Sequence, residues 1–302
     1  MNYSHSMETE TIQKYVKAGT IAAEALQYGT SLIKNGTKVI TILDAIETKI
    51  QELGGELAFP AQISLNECAA HSCSDMNDET VLHDHVVKLD VGVHIDGYIA
   101  DNAVTIDLSG KYTELVNASR DALSEALKIV TPGVSLAEIG NVIHKTITSY
   151  GFSPVRNLSG HGLGHYNIHT KPSIPNFDNG NKNTLKDGDV IAIEPFASTG
   201  AGIVQESVPA TVFTLVKDAG VRDPITRKVL QEIKKYNGLP FAKRWLERTF
   251  GTPRTALALR TLVRVGCVQE HSPLVDQSRG IVSQAEHSVI VQKKPLVYTR
   301  RG

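Results

Sequence analysis

The sequence predicts an α+β fold made of two related halves, with a helical stretch inserted before the last strands. Three observations carry this. Residues Val87–Ile106, VKLDVGVHIDGYIADNAVTI, alternate apolar and polar positions on either side of Gly97, the pattern of a β-hairpin. A helix, turn, helix, glycine, strand order occurs twice, with Gly36 and Gly133, and Gly54 and Gly151, each 97 positions apart. From Val221 to about Cys267 the chain turns basic and helical in period, punctuated by Asn237-Gly238-Leu239-Pro240 and Gly251-Thr252-Pro253.

The elements follow in order. Thr9 to Lys34 reads as a helix with Ile12, Tyr15, Val16, Ala22, Leu26 and Ile33 mostly on one face, stopped by Asn35-Gly36. Thr41 to Leu53 is a second helix, followed by a strand through Leu57 to Ile63. The hairpin comes next. Ser119 to Val130 and Leu136 to Tyr150 then repeat the helix pair, and a strand through Phe152 to Leu158 follows. Val190 to Ile193 is a short strand ending at Glu194-Pro195, and Gly280 to Gln292 returns to strand pattern. Residues 218–270 are expected to form a helical subdomain inserted in one domain spanning 1–302, with Ile233, Tyr236, Trp245, Leu246, Leu257, Leu259, Leu262 and Val263 as its core.

Composition narrows the function. With 302 residues, 41% of them hydrophobic, and a net charge of −1, the chain can bury a large core and has no global field favouring nucleic acid or an anionic membrane. No apolar run reaches the roughly 18 residues of a membrane span, and the opening MNYSHSMETE is too polar for a signal peptide. Three cysteines, Cys68, Cys73 and Cys267, fit a reducing compartment. Cys68 and Cys73 are near enough in sequence to pair, although the compartment argues against it.

Asp90 and Asp101 each interrupt an apolar strand. A carboxylate there is costly unless it is paired, hydrogen-bonded or on a cation. Neighbouring strands suggest one shared cation site; two edge aspartates facing water are the bland alternative. His161 in Ser159-Gly160-His161-Gly162-Leu163-Gly164-His165, Glu194 and Glu286 extend the set. The glycines are read as a turn whose unusual dihedrals hold His161, with His165 as a supporting or structural residue. Four carboxylates and one imidazole suit two divalent ions, which would sharpen a water near neutral pH. Spacing alone is weak support, because the chain has 32 acids.

The segments FPAQISLNECAAH, KLDVGVHIDGYIADNAVTI, LSGHGLGHYNIHTKPSIPN, IAIEPFA and AEHSVIV together resemble the signature segments of the methionine aminopeptidases. The 92 positions between Glu194 and Glu286 resemble the type II form, and the short N-terminus its archaeal branch. This resemblance implies the pita-bread fold, two αβ halves about a pseudo-twofold axis. It implies removal of the initiator methionine from nascent chains by a hydroxide bridging two divalent ions, with Co, Mn, Fe or Zn all admissible. Asp101 and Glu286 are implied to bridge both ions, Asp90 to complete one, and His161 with Glu194 the other. Glu194 is implied as general base, His71 as a catalytic and substrate contact, His169 as a donor to the scissile carbonyl, and Phe59, Ile168 and Phe196 as the methionine pocket. The partners implied are nascent polypeptides, with transient ribosome contact left open, no membrane and no specific nucleic acid; a cytoplasmic monomer is expected. Ala285, His271 and Ser72-Cys73-Ser74 depart from the family pattern and put pocket shape in doubt. A non-catalytic relative binding protein or RNA, and a proline-specific peptidase of the same fold, are the competing readings.

Overall fold

The computed structural model describes residues 7–218 and 220–300. Residues 1–6, which carry most of the polar opening segment, and Arg301 and Gly302 of the tail lie outside them.

The first half begins with α1 (Thr9–Leu32) and α2 (Val39–Glu52). Short strands β1 (Glu56–Leu57), β2 (Gln62–Leu65) and β3 (Cys68–Ala70) lead to the hairpin β4 (Val86–Ile95) and β5 (Tyr98–Asp107). Helix α1 lays Tyr15, Ala18, Ile21, Ala22 and Ala25 across that hairpin. Its small residues let helix and sheet approach closely. Val16, expected on this face, is 37% exposed; it sits one step, about 100°, round the helix from Tyr15. The single strand expected from Leu57 to Ile63 is two. β1 and β2 pair with opposite ends of β4, and Phe59-Pro60 leaves the ladder between them, where Pro60 has no N–H to donate.

The second half repeats the plan with α3 (Thr113–Ile129) and α4 (Leu136–Ser149). Helix α3 starts before the expected Ser119, and α4 opens on a capping box between Ser135 and Glu138. Strands β6 (Ser153–Pro154), β7 (Ser159–Gly164), β8 (Asn167–Pro175), β9 (Val190–Ile193), β10 (Phe196–Ser198) and β11 (Val204–Glu206) follow. β6 is far shorter than the strand expected to Leu158. Val155 N still donates to Phe196 O at 2.9 Å, and beyond it the Asn157 carboxamide fastens the chain to β11 instead, donating to Val204 O at 2.7 Å and accepting from Val204 N at 2.9 Å.

The inserted unit comprises β12 (Val212–Leu215), α5 (Pro224–Lys234), β13 (Phe241–Ala242), α6 (Lys243–Phe250), α7 (Thr252–Arg264) and β14 (Val268–His271). It has a core of its own, including Phe213, Ile233, Phe241, Leu246, Leu259 and Leu262. Leu257, expected there, is 57% exposed. Arg244, fully buried, pairs with Glu47 of α2, and Trp245 Nε1 donates to the same carboxylate at 2.8 Å, which pins the insert to the first half. The chain closes with β15 (Leu274–Asp276), β16 (Val282–Gln284), β17 (His287–Ile290) and β18 (Leu296–Val297). The strand expected from Gly280 to Gln292 is therefore broken at Ala285-Glu286.

The repeat is visible in matched contacts. Gly36 N donates to Leu82 O and Gly133 N to Leu185 O, both at 2.8 Å. Gly36 and Gly133 have φ of 87° and 95°, and Gly54 and Gly151 have 78° and 82°; glycine takes this left-handed geometry without a Cβ penalty. The halves meet where β5 lies against β16 and β17. Glu286 N donates to Ala103 O at 3.0 Å, and Ser288 Oγ accepts from Asp101 N at 2.9 Å while donating to Asp101 O at 2.8 Å. All three cysteines are free. Among the described residues no helix is long and apolar enough to cross a membrane.

Candidate active site

A cavity of about 220 Å³ opens at this junction. Asp90, Asp101, His161, Glu194 and Glu286 line it, and so do Phe59, His71, Ile168, His169 and Phe196. The two aspartates come from the hairpin of the first half. Gly92 faces Asp101 and Ala103 faces Asp90 across the ladder, which puts both carboxyls on one side of it. The glutamates occupy the corresponding place in the second half, Glu194 just after β9 and Glu286 just before β17, two strands paired Ile193 to His287. The insert lies in the chain between these glutamates, so their long sequence separation disappears in space.

His161 is on strand β7, not in a turn. Neither Gly160 nor Gly162 has a positive φ, and the reason for glycine is proximity. A Cβ on Gly160 would meet Ala192 O at 2.3 Å, and one on Gly162 would meet Lys171 O at 2.3 Å. The His161 Nδ1 faces Gly162 O at 3.3 Å. A carbonyl only accepts, so Nδ1 carries the proton and Nε2 presents a lone pair. That lone pair points at Asp101 Oδ2, 3.7 Å away, and Glu194 Oε1, 3.8 Å away. Burial, reinforced by His169, holds the His161 imidazole neutral, with its pKa down at about 3. Lone pairs facing lone pairs in a buried site call for a proton or a cation between them.

The carboxylates tell the same story. Asp101 is 3% and Glu286 2% exposed. Burial pushes Asp90 up to about 7. Burial, followed by repulsion from the neighbouring acids, lifts Asp101, Glu194 and Glu286 well above the usual carboxylate range. Asp90 Oδ1, Asp101 Oδ1 and Glu286 Oε1 are buried with no hydrogen-bond partner among the described residues. Ligand atoms of Asp101, His161 and Glu286 all lie within 4.8 Å of one another. Oxygen donors plus one imidazole, whose far nitrogen is fixed by a backbone carbonyl, are a donor set that divalent ions accept. The residues present therefore fit a divalent metal.

Three further imidazoles border the cavity. His71, with φ of 62°, is held in a conformation rare for a residue with a side chain. Burial, then His271 and His169, lower its pKa to about 4, and burial, then His271, does the same for His169. His169 stacks edge-on against His161 at 4.6 Å between ring centroids, and His271 against His71 at 5.7 Å. Thr214 of the insert holds His271 Nε2 at 2.8 Å. His165, by contrast, points away from the cavity, 2.8 Å from Asp96 O.

Sequence reasoning missed two site residues. Gln284 Nε2 donates to Glu194 Oε2 at 3.4 Å and to Glu286 Oε2 at 3.3 Å, joining the two glutamates. Its position two residues before Glu286 was the available signal, since strand period places both on one face. Gly92 makes room for Phe59: a Cβ there would sit 2.0 Å from the ring. Alternation runs through Gly92 unbroken, so only the missing side chain beside Asp90 marked it in the sequence.

Residues 13–223 match metallopeptidase family M24. The chain belongs to that family. It is 47% identical to the methionine aminopeptidase of Thermococcus onnurineus over 287 residues, covering 94% of this chain and 97% of the relative. Among solved structures, a thermophilic Arx1 superposes with a TM-score of 0.87 at 19% identity, over 98% of this chain and 92% of the other. The methionine aminopeptidase of Thermotoga maritima gives 0.70 at 22% identity, over 97% and 98%. Both structural likenesses speak to the fold alone, and the fold is the pita-bread architecture.

Proposed function

We propose that this M24 protein is a metal-dependent aminopeptidase that removes N-terminal methionine. The observation that carries the reading is the buried cluster of four carboxylates and a neutral imidazole at the junction of the halves. Likeness to the Thermococcus onnurineus enzyme over nearly its whole length supports it. Asp90, Asp101, His161, Glu194 and Glu286 would hold two divalent ions, which when bound supply a Lewis acid and an acidified water.

The protein's own residues then divide the work. Phe59, Ile168 and Phe196 give the methionine side chain apolar walls, which suit an unbranched thioether. His71 and His169, neutral at physiological pH, are placed to contact the scissile amide, His71 accepting from its N–H and His169 donating to the oxyanion that develops on its carbonyl. Gln284 Nε2 donates to Glu194 Oε2 and so orients the carboxylate that would serve as general base. The insert contributes Val212, Pro240 and His271 to the cavity wall, and we assign it as the type II subdomain. The protein-binding alternative leaves a buried acid cluster without a use, so the peptidase reading is preferred.

Hydrolysis of Met-Ala-Ser tests this. Activity should vanish with a chelator and return with added divalent metal. Glu194→Gln should bind metal with part of the native affinity but turn over about 10²–10⁴-fold more slowly, the usual worth of a general base. Unchanged turnover in that variant would reject Glu194 as the base.

A further inference from the structure

We propose that Lys88 is a positioning residue for this carboxylate centre, its side-chain amine tying the turn that leads to His71 to the strand that leads to Gln284 and Glu286. Lys88 is 1% exposed, in the middle of β4. Its Nζ donates to Asn66 O at 2.8 Å and to Val282 O at 2.9 Å. Among the described residues it forms no ion pair with a carboxylate. A buried amine without a counter-ion is costly, and an apolar side chain of the same shape would cost less. Its use must therefore lie in the two bonds it makes.

Those bonds end on the carriers of the chemistry. Asn66 occupies the turn between β2 and β3, with φ of 49°. It is already fastened to β4, its N donating to Val86 O at 2.8 Å and its Oδ1 accepting from Val86 N at 3.0 Å. β3 runs from this turn directly to His71. Val282 opens β16, and its N donates to the same Asn66 O at 3.0 Å. β16 runs on to Gln284, whose backbone Thr105 Oγ1 grips on both sides, at 2.7 Å to its O and 2.8 Å to its N. Lys88 itself lies two residues before Asp90 and on the same face of β4. One amine thus joins the strand bearing Asp90, the turn preceding His71 and the strand preceding Glu286. These belong to different parts of the chain, and a small slip between them would move acids whose separation decides what they can hold.

The positioning role in catalysis rests on the peptidase reading, whereas its effect on metal binding does not. The test is Lys88→Met, which keeps the stem and removes the donors, with Lys88→Gln as a second, donor-keeping variant. Both are measured well below their melting temperatures. For Lys88→Met we expect Mn(II) affinity by calorimetry to fall about 10–100-fold, and kcat on Met-Ala-Ser to fall similarly with little change in KM, the size of effect typical of residues supporting metal ligands. Lys88→Gln should lie between it and the wild type. Native Mn(II) affinity in Lys88→Met, accompanied only by a lower melting temperature, would overturn the proposal. Failure of both variants to fold would also overturn it, making the lysine a need of the fold rather than of the site. If wild-type protein leaves Met-Ala-Ser intact, the peptidase reading fails while the calorimetry still decides the role of Lys88.

Discussion

At the scale of single residues, the candidate site is a set of groups whose charges are wrong for a dry interior. Nε2 of His161 presents a lone pair to two carboxyls, and three carboxyl oxygens of the site lack partners among the described residues. Which residue types would gather was legible, because an acid inside an apolar strand is rare without a purpose. The supporting groups were not, since Gln284, Gly92 and Lys88 act through contacts that alternation does not reveal. His71 shows the difference between role and packing. It has φ of 62° and a lowered pKa, the strain and burial expected where function outranks comfort. His71→Ala should reduce kcat about 10²-fold or more, while thermal unfolding shifts by only a few degrees. A melting temperature that falls in step with the rate would mark His71 as structural instead.

At the scale of elements, the two helix pairs and the hairpin were legible from period and punctuation. The breaks in strands were less so. Pro60 separates β1 from β2 where hydropathy alone would continue one strand, and the glycines of β7, which the sequence suggests as turn formers, are required by strand contact. Proximity between strands depends on tertiary contacts, which a local pattern does not contain. The same lesson applies at Gly92, where β4 yields space to Phe59. Gly92→Ala puts a Cβ 2.0 Å from that ring. The ring must then move, at a cost of about 1–3 kcal/mol. We expect KM for methionyl peptides to rise severalfold, with metal affinity less affected; an unchanged KM would show that Phe59 does not wall the methionine pocket.

For the whole molecule, two halves supply carboxylates to one place that neither could build alone. The repeat was legible in the matched glycines, and the structure shows them making matched hydrogen bonds. The insert was legible as a change of composition. Its anchoring through Arg244 and Glu47 was not, because partners almost two hundred positions apart leave no local trace. Assembly of the acids at the junction has a proton consequence. With Asp90 at about 7 and the other three carboxyls raised by burial and mutual repulsion, protons compete with metal for the acids of the junction. Metal must displace the protons, so apparent affinity should weaken as pH falls below about 7. His71 and His169, whose pKa values lie near 4, stay neutral over this range. Activity lost between pH 7 and 5.5 should therefore return with excess metal. Loss that persists at saturating metal would assign the acid limb to another group.

Anomalous diffraction from a crystal soaked in Mn(II) bears most directly on the junction as a cation site. We expect two neighbouring peaks among Asp90, Asp101, His161, Glu194 and Glu286, with Asp101 and Glu286 touching both. A soaked crystal with no peak there, or with those side chains turned apart, would contradict it.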